Sequence, residues 1–169
     1  MLLDLIREEL ITAELKSKEK DGVIREMCEL LAKAEVVGEL DEFIKGIKKR
    51  EEIESTAIGD GIAIPHARSE TVKELAVAFG GSKEGVDFQS LDGKPVQLVF
   101  MIAAPNDARK EYLQAVARIA RFLKVKNFKQ KLLEAGTRED VLRVIEEFDA
   151  RFPKKMEVET KAGRVVYKS

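Results

Sequence analysis

The amino-acid sequence predicts an α/β fold in which a mixed β-sheet of about five strands lies between layers of helices. Apolar residues recur at helical spacing up to about residue 51 and again from residue 109, whereas the middle of the chain contains short apolar runs. Gly, Asp and Ser separate these runs, which is typical of strands joined by turns. Because the order is helices, strands and helices, we expect helices on both faces of the sheet.

A short strand and two helices are predicted in the N-terminal third. The strand covers Ile11 to Leu15, and the first helix covers residues 18–36 with Ser17 as its N-cap. The second helix spans about residues 41–51. Cys28 lies beside the apolar face of the first helix, so we expect it to pack in the core and not to react.

The middle of the chain is predicted to supply the rest of the sheet. The expected strand segments are residues 59–67, 75–80, 86–88 and 95–103. The stretch from Val96 to Ala103 is almost continuously apolar, which is typical of a strand covered on both faces. We therefore expect helical layers on both sides of this strand.

Three further helices are predicted after the strands. The first begins at Arg109, and two more fit residues 127–135 and 138–149, with Gly136 as a stop and Thr137 as the next N-cap. The apolar face of the first of these helices comprises Tyr112, Leu113, Val116, Ile119, Ala120 and Leu123. These helices are expected to form the second layer on the sheet.

We assign residues 1–150 to one domain and residues 151–169 to a charged C-terminal tail or a small hairpin. Domains commonly contain about 100–200 residues, which the first segment satisfies. Pro153 interrupts the helical pattern. Beyond it, residues 156–160 and 164–167 have the pattern of two pairing strands, while a disordered end fits the same residues equally well.

Composition limits the classes of function. The formal net charge is only -1 although 36% of residues are charged, so we expect no global attraction to nucleic acid or anionic lipid. The strongest apolar run, Leu98 to Ala104, has seven residues, whereas a membrane-spanning helix needs roughly 20. With a single cysteine the chain cannot form an internal disulfide, which fits a reducing compartment. We expect a cytoplasmic protein without direct membrane insertion.

The same residue inventory argues against a metal or a nucleotide cofactor. His66 is the only histidine and Cys28 the only cysteine, and they are far apart in the chain, so they do not form a nitrogen and sulfur ligand set. No glycine-rich loop ends in Gly-Lys-Ser or Gly-Lys-Thr. We expect no metal, no cofactor and no direct use of ATP.

His66 is the leading candidate for chemistry. It follows Gly59, Gly61 and Pro65, residues that fix the backbone beside it, and imidazole is a nucleophile near neutral pH. A covalent role requires a free lone pair on one ring nitrogen, a hydrogen bond that sets the tautomer, and positive charge for an incoming anion. Taken alone, a single histidine after a strand fits a structural role more often than a nucleophile.

Two arginines and two hydroxyls flank this histidine in sequence. Arg50 ends a basic run in the second helix, and Arg68 follows His66 by two residues. A guanidinium can hold a phosphoryl group through two parallel hydrogen bonds. Ser55 and Thr56 add hydroxyls, although a turn or a helix cap explains them equally simply.

The residues from Arg50 to His66, REEIESTAIGDGIAIPH, resemble the signature of the type 2 enzyme IIA domain of the bacterial phosphoenolpyruvate-dependent sugar phosphotransferase system. This is the fructose, mannitol and nitrogen-regulatory branch of the system. The resemblance continues through residues 85–88, 91–96 and 98–103 and into the helix that contains Tyr112, so that it covers about residues 2–148.

The resemblance implies a phosphohistidine relay. His66 would receive a phosphoryl group from the phosphohistidine of the phosphocarrier protein HPr and pass it to an enzyme IIB partner in sugar uptake of the fructose or mannitol type. Arg50 would be the catalytic arginine beside it, and Ser55, Thr56, Arg68 and Tyr112 are candidates for stabilising the phosphoryl group. We expect a stand-alone subunit, with the sugar carried by another chain.

One position departs from the family pattern. Many relatives have a second histidine in the helix after the last core strand, and Tyr112 occupies that position here. A tyrosine can donate a hydrogen bond but does not become a cation near pH 7. It either orients the phosphoryl group or packs on the apolar face of its helix, and we favour packing.

Two further interpretations stay open beside the transport component. One is a nitrogen-type regulatory phosphoprotein whose phosphorylation state controls the binding of a partner protein. The other is a degenerate scaffold that is never phosphorylated. The sequence names neither the sugar nor the oligomeric state.

Overall fold

The computed structural model describes residues 1–153, 156–159 and 165–168. Within them the helices are α1 (Lys20–Lys33), α2 (Leu40–Ile53), α3 (Arg109–Lys124), α4 (Lys126–Glu134) and α5 (Arg138–Arg151). The strands are β1 (Ile11–Thr12), β2 (Ile62–Ala63), β3 (His66–Arg68), β4 (Ala76–Val86), β5 (Val96–Ala104), β6 (Met156–Glu159) and β7 (Val165–Lys168). Two short 3-10 turns, Leu2–Asp4 and Glu8–Leu10, precede β1.

The main sheet is mixed and has five strands in the order β1, β4, β5, β2, with β3 also paired to β5. The long strands β4 and β5 run antiparallel, whereas β1 is parallel to β4 and both β2 and β3 are parallel to β5. The predicted α/β fold with a mixed five-stranded sheet is therefore confirmed.

Each face of the sheet buries its own hydrophobic cluster. On β5, Val99 and Met101 point to the cluster beneath α1 and α2, while Phe100 and Ile102 point to the cluster beneath α3, α4 and α5. All four side chains are fully buried. The alternation explains why the β5 sequence is continuously apolar, since successive side chains enter opposite cores.

The two layers differ in what fills them. The layer of α3 to α5 is rich in phenylalanine, and its rings meet mostly edge to face, as between Phe122 and Phe148 with centroids 4.9 Å apart. The layer of α1 and α2 is mostly aliphatic, and it contains Cys28, fully buried against Met101. Burial raises the pKa of the Cys28 thiol to about 12, so it stays protonated at neutral pH, as an unreactive core residue should.

Several element boundaries differ from the predictions. Ser17 is not the N-cap of α1, because the helix begins at Lys20 with Glu19 at that position; the Ser17 backbone N–H instead donates to Glu26. The predicted strand at 75–80 and the first residue of the predicted strand at 86–88 belong to the single strand β4, which ends at Val86 and whose register shifts between Gly81 and Val86. A β-bulge of this kind keeps both parts paired to one neighbour.

The predicted strand at 59–67 is divided into β2 and β3. Pro65 has no backbone N–H to donate to a ladder, and pairing with β5 is interrupted at Ile64 and Pro65.

Two predictions about the later helices have different outcomes. On α3, Leu113 was expected on the apolar face, but it is 54% exposed, because it lies just beyond the covered side of the helix. The predicted N-cap Thr137 is confirmed, since its hydroxyl accepts from the Asp140 N–H.

The C-terminal strands β6 and β7 pair antiparallel with each other. Of the segment 151–169, only the backbone of these strands and residues 151–153 are described. Within the described ranges, none of the helices combines the length and the apolar character that a membrane crossing requires.

Candidate active site

His66 lies where three elements meet. It begins β3, which is parallel to β5, and in the register of these strands His66 is opposite Ile102, near the carboxyl end of β5. Helix α2 packs on β3 and brings Arg50, in its last turn, to the imidazole. Helix α3 begins shortly after β5 and places Tyr112 on the other side.

The turn before β2 is held in an unusual backbone conformation. Gly59, Asp60 and Gly61 all have positive φ angles, of 130°, 56° and 75°. The Asp92 carboxylate accepts from the Asp60 N–H at 3.2 Å, and the Lys129 ammonium of α4 reaches the Asp60 carbonyl. The turn thus favours glycine at positions 59 and 61, because residues with a Cβ atom rarely adopt positive φ angles.

The imidazole of His66 has a defined tautomer. Its Nδ1 lies 2.9 Å from the Ile64 carbonyl oxygen, which can only accept a hydrogen bond, so Nδ1 carries the proton. Nε2 therefore carries a lone pair, and the Arg50 Nε–H donates to it at 3.2 Å. A ring nitrogen with a lone pair, directed at a guanidinium, is the arrangement that a nucleophile for an anionic electrophile requires.

The surroundings keep this imidazole neutral. Burial is the largest influence and lowers the pKa of His66 from its ordinary value of about 6.5; the positive charge of Arg50 acts in the same direction. The hydrogen bond to Ile64 and the negative charge of Glu51 oppose them without cancelling the effect. At pH 7 the ring is thus in the form that has nucleophilic character.

Positive charge around His66 is not neutralised by neighbouring carboxylates. Among the described residues, neither Arg50 nor Arg68 forms an ion pair. Arg50 Nη1 donates to the Glu54 carbonyl at 2.8 Å, and Arg68 Nη1 to the Asn106 carbonyl at 3.4 Å. Arg68 follows His66 by two residues on β3 and so projects from the same face of the strand. The site can therefore hold an anion.

Tyr112 both contacts His66 and packs on the core. The two ring centroids are 5.5 Å apart with planes tilted by 47°, and the half-buried Tyr112 also packs against the apolar cluster beneath α3. Burial raises the pKa of its hydroxyl, while Arg50 and Arg68 lower it. The hydroxyl remains protonated at neutral pH and lies within the field of both arginines.

The two predicted hydroxyl residues have partners outside this group. The Ser55 hydroxyl donates to the Phe88 carbonyl at 3.3 Å, and the buried Thr56 hydroxyl donates to the Glu51 carboxylate. Their role toward a phosphoryl group stays a prediction. Arg50 and Tyr112 thus contact His66, and Arg68 lies on the same strand face two residues further along, whereas Ser55 and Thr56 form hydrogen bonds within the chain that leads to His66.

Sequence reasoning missed two participants. The Ile64 carbonyl, which fixes the His66 tautomer, is a backbone group and leaves no trace in residue identity. Glu51 is buried in α2, yet it lies in the charged run from residue 48 to 54 and looks like part of a solvated face. Its burial depends on Lys20, 31 positions earlier in the chain and 2.9 Å away.

Solved structures that are similar to this chain include enzyme IIA domains. The nitrogen regulatory protein IIA-Ntr from Neisseria meningitidis superposes with a TM-score of 0.77 at 27% identity, over 84% of this chain and 97% of that one. Enzyme IIA for mannitol from Escherichia coli, solved in a complex with phosphorylated enzyme IIB, superposes with a TM-score of 0.73 at 26% identity. The match covers 85% of this chain and 99% of that one. The fold and the site thus define a domain of this class.

The chain belongs to the family described as phosphoenolpyruvate-dependent sugar phosphotransferase system, EIIA 2, whose model matches residues 4–148. This confirms the membership that the sequence from Arg50 to His66 predicts. Domains of this family take part in phosphoryl relay.

Similar proteins carry two kinds of name. The fructose-specific EIIABC component of Bacillus subtilis is 40% identical over 88% of this chain, which spans only 23% of that protein. The fructose-specific EIIA component of Haloferax volcanii is 36% identical over 82% of this chain and 90% of its own length. A nitrogen regulatory protein of Bradyrhizobium diazoefficiens is 34% identical over 78% of this chain and 85% of its own length.

Proposed function

We propose that this protein accepts a phosphoryl group from phospho-HPr on His66 and passes it to an enzyme IIB partner during sugar uptake of the fructose or mannitol type. The observation that carries the proposal is the neutral imidazole whose Nε2 lone pair faces the Arg50 guanidinium, which forms no ion pair among the described residues. The likeness to the fructose-specific component of Haloferax volcanii, along 90% of that chain, supports the transport assignment.

Phosphoryl transfer to His66 needs only positioning and charge stabilisation. The Nε2 lone pair forms the new nitrogen–phosphorus bond as the nitrogen–phosphorus bond of the donor phosphohistidine breaks in line with it. The electron pair of the broken bond stays on the donor imidazole. The Nδ1 proton of His66 stays in place, and its hydrogen bond to Ile64 stabilises the positive charge that develops on the ring.

Arg50 has two roles in this sequence. In the unphosphorylated protein its Nε–H occupies the Nε2 lone pair, so it must move aside as phosphorus approaches. The guanidinium can then hold the phosphoryl oxygens, with Arg68 adding charge from the same strand face. Transfer to enzyme IIB reverses these steps: the bond between Nε2 and phosphorus breaks as the acceptor group of IIB bonds to the phosphorus, and the lone pair returns to Nε2.

Labelling tests the proposal directly. The protein is incubated with enzyme I, HPr and ³²P-labelled phosphoenolpyruvate, then mixed with a fructose-type IIB protein. We expect one label per chain that is acid-labile and alkali-stable, that leaves for IIB, and that is absent from His66→Ala. Failure to label the wild-type protein, or label on His66→Ala, would contradict it. Nitrogen NMR should place the phosphorus on Nε2 and not on Nδ1.

A regulatory role is the second candidate. It is favoured by the similarity to the Bradyrhizobium diazoefficiens nitrogen regulatory protein and by Tyr112, which replaces the second family histidine. In this case the phosphorylated and unphosphorylated forms would bind a non-transport partner differently, and transfer to IIB would be negligible. Pull-downs with the two forms, and with His66→Ala as the form that cannot be phosphorylated, separate the roles. Phosphorylation of His66 in either case excludes an inactive scaffold.

A further inference from the structure

A buried carboxylate lies directly beside the proposed active site. Glu51 follows Arg50 in α2, and its side chain is only 4% exposed. The Lys20 ammonium, at the start of α1, lies 2.9 Å from its Oε2 and 5.1 Å from the centre of the Phe88 ring. Removing two such charges from water costs more free energy than forming an ion pair at the surface, where the charges stay hydrated. Buried ion pairs therefore often add little net stability. The pair therefore needs a further explanation.

The Glu51 carboxylate is hydrogen-bonded twice to Thr56, in the loop after α2. Oε2 accepts from the Thr56 backbone N–H at 3.1 Å, and Oε1 accepts from the Thr56 hydroxyl. Thr56 is only 5% exposed. Both oxygens of one fixed carboxylate thus determine the position of this peptide and its side chain.

Thr56 is connected to His66 through one further residue. The Thr56 carbonyl accepts from the Ile64 N–H at 3.3 Å, and the Ile64 carbonyl accepts from His66 Nδ1 at 2.9 Å. Ile64 is available for both contacts because strand pairing is interrupted between β2 and β3. A continuous set of hydrogen bonds therefore leads from Lys20 and Glu51 to the non-nucleophilic nitrogen of His66.

We propose that Glu51 is a positioning residue for phosphoryl transfer, which holds Thr56 and the Ile64 peptide so that His66 keeps its proton on Nδ1 and presents Nε2. The inference rests on the proposed function of His66. Without the carboxylate, the Thr56 loop loses its two acceptors, and the Ile64 carbonyl is held less firmly against Nδ1. The imidazole then samples the other tautomer, in which Nε2 carries the proton and has no lone pair for phosphorus.

The tautomer of His66 can be measured without any phosphoryl transfer. Because the chain has one histidine, ¹⁵N-histidine labelling gives the signals of His66 alone. Spectra are compared for wild type, Glu51→Gln and Glu52→Gln. Glu52 is a matched control, since it is adjacent, exposed and of the same charge, and it lines a surface cleft between α1 and α2 together with Glu51 and Lys20. Spectra are taken well above the His66 pKa, because Arg50 and Tyr112 contact the ring, the negative charge of Glu51 raises its pKa, and a charge change alone would alter its titration.

The proposal predicts a shift toward the Nε2-protonated form in Glu51→Gln and an unchanged tautomer in Glu52→Gln. An unchanged tautomer in a folded Glu51→Gln protein would overturn it. If Glu51→Gln does not fold, Thr56→Val carries the test, because it removes the hydroxyl and keeps the side-chain shape, and Thr56→Ser should restore the wild-type spectrum. Equal spectra for Thr56→Val and wild type would likewise overturn it.

Single-turnover kinetics gives the functional consequence. At saturating phospho-HPr, Glu51→Gln should slow phosphorylation of His66 about tenfold, equal to about 1.4 kcal/mol, with little change in the half-saturating donor concentration. Glu52→Gln should react at the wild-type rate. If wild type accepts no phosphoryl group, the proposed function fails while the tautomer result still decides the role of Glu51. If wild type reacts and Glu51→Gln reacts equally fast, only the inference about Glu51 fails.

Discussion

Two arginines in this protein have opposite electrostatic surroundings. Arg118 of α3 lies 2.8 Å from the Asp149 carboxylate and 2.6 Å from the Phe152 carbonyl, and its guanidinium covers the Phe148 ring. Arg50 of α2 contacts a neutral imidazole and a carbonyl, and it forms no ion pair among the described residues. The first charge is compensated inside the protein, whereas the second is not.

The difference separates a structural site from one prepared for an anion. The Asp149 carboxylate also accepts from the backbone N–H groups of Leu2 and Leu3, at 3.0 and 2.9 Å, so it fastens the start of the chain to α5. The charges of Arg118 and Asp149 are thus used for contacts within the protein. Around His66, by contrast, Arg50 leaves positive charge that a phosphoryl group would neutralise.

The largest effect on stability should come from the compensated site. Asp149→Ala leaves the largely buried Arg118 without its anion and frees the two N-terminal peptides, so we expect a loss of about 3–5 kcal/mol in the free energy of unfolding. Urea titration measures it. Phosphoryl transfer by the folded fraction should stay near the wild-type rate, and a stability loss below about 1 kcal/mol would show that the pair is not a structural anchor.

Arg50→Ala should show the reverse pattern. Removing a donor that stabilises transition-state charge commonly costs about 10²–10³-fold in rate, so we expect His66 phosphorylation to slow by about that factor. The free energy of unfolding should change by about 1 kcal/mol or less, because the lost contacts are one hydrogen bond to a carbonyl and one to His66. Rapid-quench labelling gives the rate. A large loss of stability with a normal transfer rate would show that Arg50, like Arg118, has a structural role and would contradict the proposed difference between them.

Arg68→Ala should have a smaller effect of the same kind. Arg68 is exposed, and its charge is screened by solvent, so we expect transfer to slow by about three- to tenfold. The loss should grow at low ionic strength, where surface charges act over longer distances. Arg68→Lys should recover part of the rate. Equal rates for wild type and Arg68→Ala at all salt concentrations would remove Arg68 from the site.

Tyr112→Phe tests whether the hydroxyl or the ring matters. The ring makes both the contact with His66 and the packing on the core, so we expect transfer to slow by less than about threefold. Tyr112→Ala, which removes the ring, should slow it more. If Tyr112→Phe is instead slowed tenfold or more, the hydroxyl donates to the phosphoryl group and the tyrosine takes over a role of the second family histidine.

The smallest effect at neutral pH concerns the His66 pKa. Proton NMR titration of the single histidine should give a pKa below 6.5, chiefly because of burial. An ordinary imidazole is only about one quarter protonated at pH 7, so the lowered pKa changes the rate there little but keeps the acceptor active at more acidic pH. Arg50→Ala should raise the pKa, since it removes a positive charge.

The same shift has a consequence for stability. Between about pH 6.5 and the lower native pKa of His66, the unfolded chain binds more protons than the native protein. The contribution of this group to stability is therefore complete above about pH 6.5 and is lost as the pH falls through that interval. A His66→Gln variant should lack this component, and a native pKa above 6.5 would contradict both statements.

Much of the fold could be predicted from periodicity alone. All five helices were located because apolar residues recur at helical spacing, and β5 was located because it is a continuous apolar run bounded by turn residues. Strand boundaries around Pro65 and Gly81 were less accurate, since breaks and bulges depend on which neighbour is paired. Neither 3-10 turn at the N-terminus was predicted, and the first of them, Leu2–Asp4, is held by Asp149, far along the chain.

The sequence by itself determined the family, the helical and strand layers, and the candidate pair of His66 and Arg50, because these depend on residue identity and local spacing. The tertiary structure alone decided which charges are compensated. Arg118 and Glu51 find partners 31 positions away in opposite directions along the chain, at Asp149 and Lys20, whereas Arg50 finds none among the described residues. Charge is a property of the residue, but its neutralisation depends on distances that only folding sets.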